Sequence, residues 1–226
     1  MKPTRMLFPV VLAMGIALSG CTSKTVSQSQ YSGFLSSYDG LAQTRSASGV
    51  PVMRWIDPSF DLARYDSLVM QPLNFYPSPK PDARVDQVTL DAVLARGNQK
   101  MAQALGKHLP LIRPEEAGPR TLVFRGAITG VVAETQGLRP YEIVPIALVL
   151  GGAMAATGER DQNTELFLEG ELVENTSGKS VLRLVRKGFG NTLSNNRQKV
   201  TATDLAPVID QLTQDALQFQ ASKTAQ

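Results

Sequence analysis

Residues 164–190 read TELFLEGELVENTSGKSVLRLVRKGFG, and this stretch predicts a β-hairpin. Leucines alternate with glutamates through residues 164–174, which is the two-residue period of a strand with one buried face. Residues 175–179 are typical of a turn, and apolar residues recur through residues 180–190. The pattern therefore predicts two antiparallel strands joined by a short turn.

The glutamates give the first of these strands an acidic face. If Leu172 pairs with Leu182, then Glu171 lies opposite Arg183 on the neighbouring strand. An opposite-charge pair in that position contributes roughly 0.2 to 1 kcal/mol. This register is the prediction for the hairpin.

Periodicity predicts five further elements, and turn residues separate them. They are, in chain order, a short helix over 31–41, a strand over 67–76, a helix over 86–108, a strand over 120–134 and a closing helix from Thr203 or Asp204 to Phe219. This order predicts an α+β fold: a two-layer mixed α/β domain with a sheet of about four strands, including the C-terminal hairpin, packed by two main helices.

The N-terminus has the pattern of a secretory signal. Two basic residues precede an apolar run over 6–18, which ends in the sequence LSGC at 18–21. The run has 13 residues, fewer than the ~20 that a helix needs to span a bilayer. We therefore predict a signal peptide that is cleaved between Gly20 and Cys21.

The LSGC sequence resembles the bacterial lipobox. This resemblance implies that the sulfur of Cys21 receives a diacylglycerol and that the new amine is acylated, which gives stable attachment to membrane lipid. The residue after the cysteine is Thr22, and this resembles the sorting pattern of lipoproteins that are sent to the outer membrane. The protein is therefore expected to face the periplasm from the outer membrane. The predicted organisation is a signal peptide at 1–20, a flexible tether at 21–30 and a single globular domain at 31–226.

The composition argues against several classes of catalytic site. With Cys21 acylated, the chain has no free thiol for catalysis, for a Cys-rich zinc site or for iron–sulfur ligation. His108 is the single histidine, which argues against a Ser-His-Asp triad and a histidine-rich metal site. At the end of its predicted helix it is expected to act as a cap. We expect no catalytic residue, no metal and no cofactor.

Residues 143–158 form the longest uncharged stretch outside the signal peptide. One interpretation is a buried helix or loop of the core. The other is a contact surface for an envelope protein or a second copy of the chain, or a loop that touches the membrane, because small residues allow close backbone approach. The candidate interaction surface comprises Ile146, Leu148, Leu150, Gly151, Gly152 and Met154.

Residues 179–200 contain basic side chains and no acidic one. Arg183, Arg186 and Lys187 are candidate contacts to anionic lipid headgroups or to another envelope polyanion. The alternative is a solvated strand face that balances the glutamates across the hairpin. An exported protein is not expected to bind nucleic acid.

Four short motifs after the lipobox carry a resemblance to a known family. They are YSGFL at 31–35, WIDP at 55–58, YD at 65–66 and GAIT at 126–129. With them the chain resembles a family of Gram-negative lipoproteins known only as a domain of unknown function. The resemblance implies lipidation and a single domain, and it supplies no functional residues.

The first functional hypothesis is a non-enzymatic binding or assembly module of the cell envelope, anchored in the outer membrane. The alternatives are an envelope hydrolase that uses carboxylate or serine chemistry and a carrier of a lipid or other apolar ligand. A pair of convergent carboxylates would favour the hydrolase. A flat apolar patch would favour the assembly module, and an apolar cavity of about 300 Å³ or more would favour the carrier.

Overall fold

The computed structural model of this chain describes residues 25–135, 162–195 and 197–219. Within them lie one seven-stranded sheet and two α-helices, together with three short 3₁₀ turns. The strands are β1 (Ala42–Arg45), β2 (Pro51–Ile56), β3 (Ser67–Met70), β4 (Asn74–Phe75), β5 (Thr121–Thr135), β6 (Gln162–Glu174) and β7 (Ser180–Leu193), and the helices are α1 (Gln87–Leu105) and α2 (Ala202–Leu217).

The strand order across the sheet is β1-β2-β7-β6-β5-β3, and β4 pairs with β5 further along the same edge. Strands β3 and β4 run parallel to β5, while every other pairing is antiparallel. Helix α1 makes the crossover that a parallel connection requires. The mixed α/β class is as expected, but the prediction of about four strands was wrong.

Two local features explain the difference in strand number. The predicted strand over 67–76 is interrupted, so its two ends form the separate strands β3 and β4. No strand was predicted between residues 41 and 67, yet β1 and β2 form a hairpin there that continues the sheet beyond β7. Neither β1 nor β2 shows the strict alternation that identifies a half-buried strand.

The predicted C-terminal hairpin is confirmed, including its register. Leu172 pairs with Leu182, and Glu171 lies opposite Arg183. The two side chains nevertheless have different partners, because Glu171 forms an ion pair with Arg125.

Both helices begin at capped residues. The Asp86 carboxylate accepts a hydrogen bond from the backbone N–H of Thr89 at 2.9 Å and starts α1 where predicted. Helix α2 begins earlier than predicted, because Thr201 rather than Thr203 or Asp204 is its N-cap. The Thr201 N–H donates to the Asp204 carboxylate at 2.9 Å in a reciprocal capping arrangement.

The helices cover one face of the sheet. Their apolar sides pack against leucine, isoleucine and valine side chains of β3, β5, β6 and β7, which form the main core cluster. Arg96 of α1 joins Asp210 of α2 through bonds of 2.8 and 2.9 Å. None of the helices in the described ranges is long and apolar enough to cross a membrane.

Residues 25–41 cover the opposite face of the sheet, and we call them the N-terminal strap. The predicted helix over 31–41 was wrong, since the strap is irregular there and Gly33 has a φ of +88°. The strap nevertheless docks onto the sheet, because Leu35 packs with Phe167 and Val185 in a second buried cluster.

The described part of the predicted tether belongs to the strap as well. Val26 is buried in the second cluster, and Gln28–Gln30 forms a 3₁₀ turn. Both faces of the sheet are therefore covered.

Candidate functional site

An apolar cavity of about 400 Å³ lies between the helices and the sheet. It is bounded by the C-terminal halves of α1 and α2 on one side and by the sheet on the other, and it is partly open to solvent. Its apolar wall includes Leu68, Met101, Leu105, Leu122, Phe124, Leu168, Leu172, Leu182, Leu184, Leu212 and Phe219.

Gly170 helps to keep this space open. It lies in β6 on the cavity wall, where the neighbouring wall residues are leucines. A Cβ added there would meet its nearest neighbour, the carbonyl oxygen of Arg125, at 3.6 Å, which is an ordinary contact. The backbone thus tolerates a side chain at this position, and its absence leaves volume in the cavity.

A buried ion pair borders the cavity. Arg186 of β7 contacts the carboxylate of Asp215 of α2, and their side chains are 3% and 10% exposed. The other oxygen of Asp215 accepts a hydrogen bond from the backbone N–H of Ser48 at 2.6 Å. Within the described residues, Nε and Nη2 of Arg186 have no hydrogen-bond partner. Burial lowers the pKa of Arg186 to about 10, so this guanidinium remains charged at neutral pH.

A second arginine, Arg54 of β2, also lines the cavity and is half-buried. Burial lowers its pKa. In the described part of the chain its side chain has neither an ion pair nor a hydrogen bond. Arg54 pairs with Leu184 in the sheet, and Leu184 is two residues from Arg186. The two arginines therefore occupy diagonal positions on the same face of the sheet.

His108 has a capping role that differs from the predicted one. Helix α1 ends at Leu105, before His108, so the histidine is not within its own helix. Its Nε2 lies 2.7 Å from the carbonyl oxygen of Ala216, in the last turn of α2. As a donor there, it adds to the hydrogen bond that the same carbonyl accepts from the backbone N–H of Phe219 at 3.3 Å and holds the end of α2.

The candidate anionic-contact residues do not form a surface. Arg183, Arg186 and Lys187 are 7%, 3% and 4% exposed. Arg183 donates to the Ser37 carbonyl at 2.8 Å and lies over the Trp55 ring at 4.1 Å. These cations are not available to a membrane surface, because the strap and α2 cover both faces of the strand that carries them.

Lys187 and Glu165 of the hairpin form an internal ion pair. Nζ of Lys187 lies 3.3 Å from an oxygen of Glu165, and both side chains are almost fully buried. The acidic face predicted for the hairpin is therefore covered rather than solvated. It was expected to be exposed because alternation alone does not reveal a second covering layer.

The strap supplies hydrogen-bond donors to the remaining glutamates. The backbone N–H of Ser32 donates to Oε1 of Glu169 at 2.7 Å, and the hydroxyl of Tyr38 donates to Oε2 at 2.5 Å. Ser36 donates to Glu171 at 2.7 Å. Three of these residues come from the region of the YSGFL motif and the few residues after it, so this part of the chain has a structural role.

The described residues contain no group of three or more His, Cys, Asp or Glu that could hold a metal ion. Among the described residues that line the cavity, Asp215 is the one carboxylate, and it is already paired. The geometry in this part of the molecule supplies neither a convergent carboxylate pair nor an activated nucleophile.

Several predicted sites lie outside the described residues. They are the lipidation site Cys21 with its cleavage partner Gly20, and the candidate interaction surface formed by Ile146, Leu148, Leu150, Gly151, Gly152 and Met154. These assignments stay predictions.

The sequence reasoning did not anticipate the cavity. Among the described residues, its wall is assembled from six strands and two α-helices that are distant in the chain. Arg54 lies outside the elements predicted from the sequence, and Arg186 was singled out for its charge alone. Their placement together on the helix-covered face becomes visible only through the pairing of β2 with β7.

Among solved structures, the chain is similar to the PelC dodecamer from Paraburkholderia phytofirmans, with a TM-score of 0.35 and 12% identity over 75% of this chain and 98% of that one. It is also similar to the hypothetical protein CT253 from Chlamydia trachomatis, with a TM-score of 0.36 and 8% identity over 56% and 73% of the two chains. Lipoprotein GNA1162 from Neisseria meningitidis gives a TM-score of 0.30 and 12% identity over 66% and 99%. These likenesses are too distant to bear on function.

Sequence relatives are closer. The chain is 46% identical over 208 residues to the uncharacterized lipoprotein YdcL of Escherichia coli K12, which covers 92% of this chain and 93% of the relative. The same figures hold for YdcL of Escherichia coli O157:H7. The family described as "Protein of unknown function (DUF3313)" matches residues 30–216. The resemblance to a lipoprotein family of unknown function is thereby confirmed, and the chain belongs to the DUF3313 family.

Proposed function

We propose that the protein is a lipid-anchored binding protein of the bacterial outer membrane that faces the periplasm and holds an apolar ligand in the cavity between the helices and the sheet. The cavity of about 400 Å³ carries this proposal. Ligand pockets of roughly 300 to 1,000 Å³ with mainly apolar walls and a few polar groups are typical of small-molecule sites. Among the functional hypotheses from the sequence, the carrier of an apolar ligand fits this geometry best.

The proposed lipid anchor is supported by the sequence and by a related protein. The lipobox ends at Cys21, and the relative at 46% identity is a lipoprotein. The strap leads from residue 25 onto the face of the sheet that lies opposite the cavity. Attachment at Cys21 and occupation of the cavity would therefore not compete for the same surface.

A non-enzymatic role is part of the proposal. Asp215, the carboxylate on the described cavity wall, contacts Arg186 and accepts from Ser48, so it has no free oxygen poised for a substrate. General acid–base catalysis relies on a side chain within hydrogen-bond reach of the proton that is transferred. His108 is directed to the Ala216 carbonyl instead.

Binding of an uncharged fluorescent probe, N-phenyl-1-naphthylamine, tests the cavity. The protein for this test comprises residues 21–226 with Cys21→Ser, because every contact described above lies at or after residue 25. We expect saturable binding with a fluorescence increase. Gly170→Leu fills the cavity and is expected to weaken binding about tenfold or more, which corresponds to about 1.4 kcal/mol.

Gly118→Leu is the matched control, since a Cβ at Gly118 meets nothing within 4 Å and lies away from the cavity wall. Circular dichroism confirms that each variant is folded. Absence of probe binding to the parent protein, or equal weakening by both substitutions, would overturn the proposed site.

Fractionation of cell envelopes tests the anchor and its membrane. The unchanged protein is expected to partition into detergent and to sediment with the outer membrane, and Cys21→Ser is expected to remain aqueous. Thr22→Asp should move the protein to inner-membrane fractions, and Thr22→Ser is its control. Detergent partitioning of the Cys21→Ser protein would contradict lipidation at that residue.

A further inference from the structure

The cavity wall contains more positive than negative charge. Arg45, Arg54 and Arg186 line it, together with Asp215 as the carboxylate among the described lining residues. Arg45 is exposed and donates to the carbonyl of Gly49 at 2.8 Å. The excess of positive charge inside the cavity therefore comes from Arg54 and Arg186.

Asp215 cannot serve both arginines. One of its oxygens contacts Arg186, and the other accepts from the backbone N–H of Ser48 at 2.6 Å. Arg54 is thus a half-buried guanidinium without a partner in the described part of the chain. Burial removes part of the water around this guanidinium, and an anion that supplied an acceptor there would recover the free energy lost.

The sheet register places the two guanidinium-bearing residues together. Arg54 lies diagonally across from Arg186, at a separation of about 7 to 8 Å between backbone positions in such pairs. Nε and Nη2 of Arg186 also lack partners among the described residues. Leu184, Leu168 and Phe124 extend the wall from this point as an apolar surface.

We infer that the cavity takes a single-chain amphiphile with an anionic headgroup, which Arg54 binds beside the Arg186–Asp215 pair while the alkyl chain lies along the leucines of the sheet. The inference rests on the proposed function, because it specifies the chemical class of the apolar ligand. A carboxylate and a phosphate share the required chemistry, so a fatty acid and a lysophospholipid are two sources of the same headgroup interaction.

Competition against N-phenyl-1-naphthylamine tests this inference. The competitors are four compounds with the same twelve-carbon chain: dodecanoate, dodecyl phosphate, dodecanol and dodecyltrimethylammonium, each used below its micelle concentration. We expect the two anions to displace the probe at concentrations about tenfold lower than dodecanol, since a hydrogen bond between two charged groups is stronger than one to a neutral hydroxyl. The cation is expected to be the weakest competitor. Whichever of dodecanoate and dodecyl phosphate displaces the probe at the lower concentration then shows whether the preferred headgroup is a carboxylate or a phosphate.

Arg54→Met keeps an unbranched apolar side chain at this position and removes the guanidinium. This variant is expected to lose the preference for anions over dodecanol while it retains its affinity for the uncharged probe. Arg120→Met is the matched control, because Arg120 is 62% exposed and lies outside the cavity wall. It should leave the preference unchanged.

The outcomes separate the two proposals. If the probe binds but dodecanoate, dodecyl phosphate and dodecanol compete equally, the headgroup inference is overturned and the apolar site stands. The same holds if Arg54→Met and Arg120→Met behave alike. If the probe does not bind and no competitor is detected by isothermal titration calorimetry, the proposed function fails, and the inference fails with it.

Discussion

Tyr38 donates its hydroxyl hydrogen to Oε2 of Glu169 across 2.5 Å, which joins two residues 131 positions apart in the chain. Tyr38 also stacks on Tyr31 with 4.6 Å between the ring centroids. Glu169 is completely buried in the middle of β6. The strap is therefore held to the sheet by a charge-assisted hydrogen bond inside an apolar cluster.

Tyr38→Phe is expected to lower the free energy of unfolding by about 1 to 3 kcal/mol, because it removes a donor from a buried carboxylate. Burial and the bond to Glu169 raise the pKa of Tyr38 to about 12. The contribution of the raised pKa is fully present below the unfolded value of about 10 and is lost as the pH rises towards 12. Urea unfolding between pH 7.5 and 11.5 measures both effects. Tyr76→Phe, at an exposed tyrosine, should match the parent protein, and an equal loss in both variants would contradict the assignment.

Lys187→Met is expected to destabilise the fold by about 3 to 5 kcal/mol, since Glu165 then remains buried without its cation. The double variant with Glu165→Met should recover most of this loss. Burial raises the pKa of Glu165, so the folded state holds its proton more tightly than the unfolded state. Unfolding of the Lys187→Met variant should therefore become more difficult as the pH falls from 7 towards the unfolded pKa of about 4.5. A double variant less stable than Lys187→Met alone would exclude a dominant ionic contribution.

Asp57 has its pKa lowered to about 2 by hydrogen bonds from Lys179 and Ser59. A lowered carboxyl pKa stabilises the fold above the unfolded value near 4, and this contribution disappears as the pH falls towards 2. Asp57→Asn should cost about 1 to 2 kcal/mol at neutral pH and flatten the acid limb of the stability profile. Asp61→Asn is the control, as Asp61 is exposed. An unchanged acid limb in Asp57→Asn would contradict this account.

Gly190 lies where β7 meets the first turn of α2. A Cβ at this position would overlap the carbonyl oxygen of Asp204 and the hydroxyl of Thr164. Gly190→Ala is expected to cost about 1 to 3 kcal/mol, because the carbonyl belongs to the helix backbone and cannot rotate away. Gly170→Ala is the matched control, since its Cβ has its nearest neighbour at 3.6 Å. Thermal unfolding that shows equal midpoints for the two variants would disprove the close approach.

The hairpin was predictable from sequence in detail, because period-two alternation and a turn-rich interval specify both strands and their register. The burial of Glu165 and Glu169 was not predictable, since alternation of leucine with glutamate is typical of a sheet with one solvent-exposed face. Here the strap covers that face and supplies donors from Ser32 and Tyr38. The strap itself has helical spacing of its apolar residues, but the backbone turns at Gly33.

The cavity was beyond sequence reasoning for a different reason. Arg54 belongs to a strand without clear alternation, and its position depends on the pairing of β2 with β7, more than a hundred residues later. Gly170 takes the place of a leucine in the alternating pattern of β6. A glycine in a strand can also mark a bulge, and only the packed structure shows that this one leaves open volume in the cavity.

The N-terminal strap, which covers the second face of the sheet, also limits how much of the chain can be removed from its N-terminal side. A fragment that began at Ala42, the first strand residue, would retain the described strands and α-helices. It would lose the donors from Ser32 and Tyr38 to Glu169 and the donor from Ser36 to Glu171, and it would expose the apolar surface that the strap covers. Trimming or proteolysis in front of β1 would consequently yield an aggregation-prone fragment instead of a smaller stable domain.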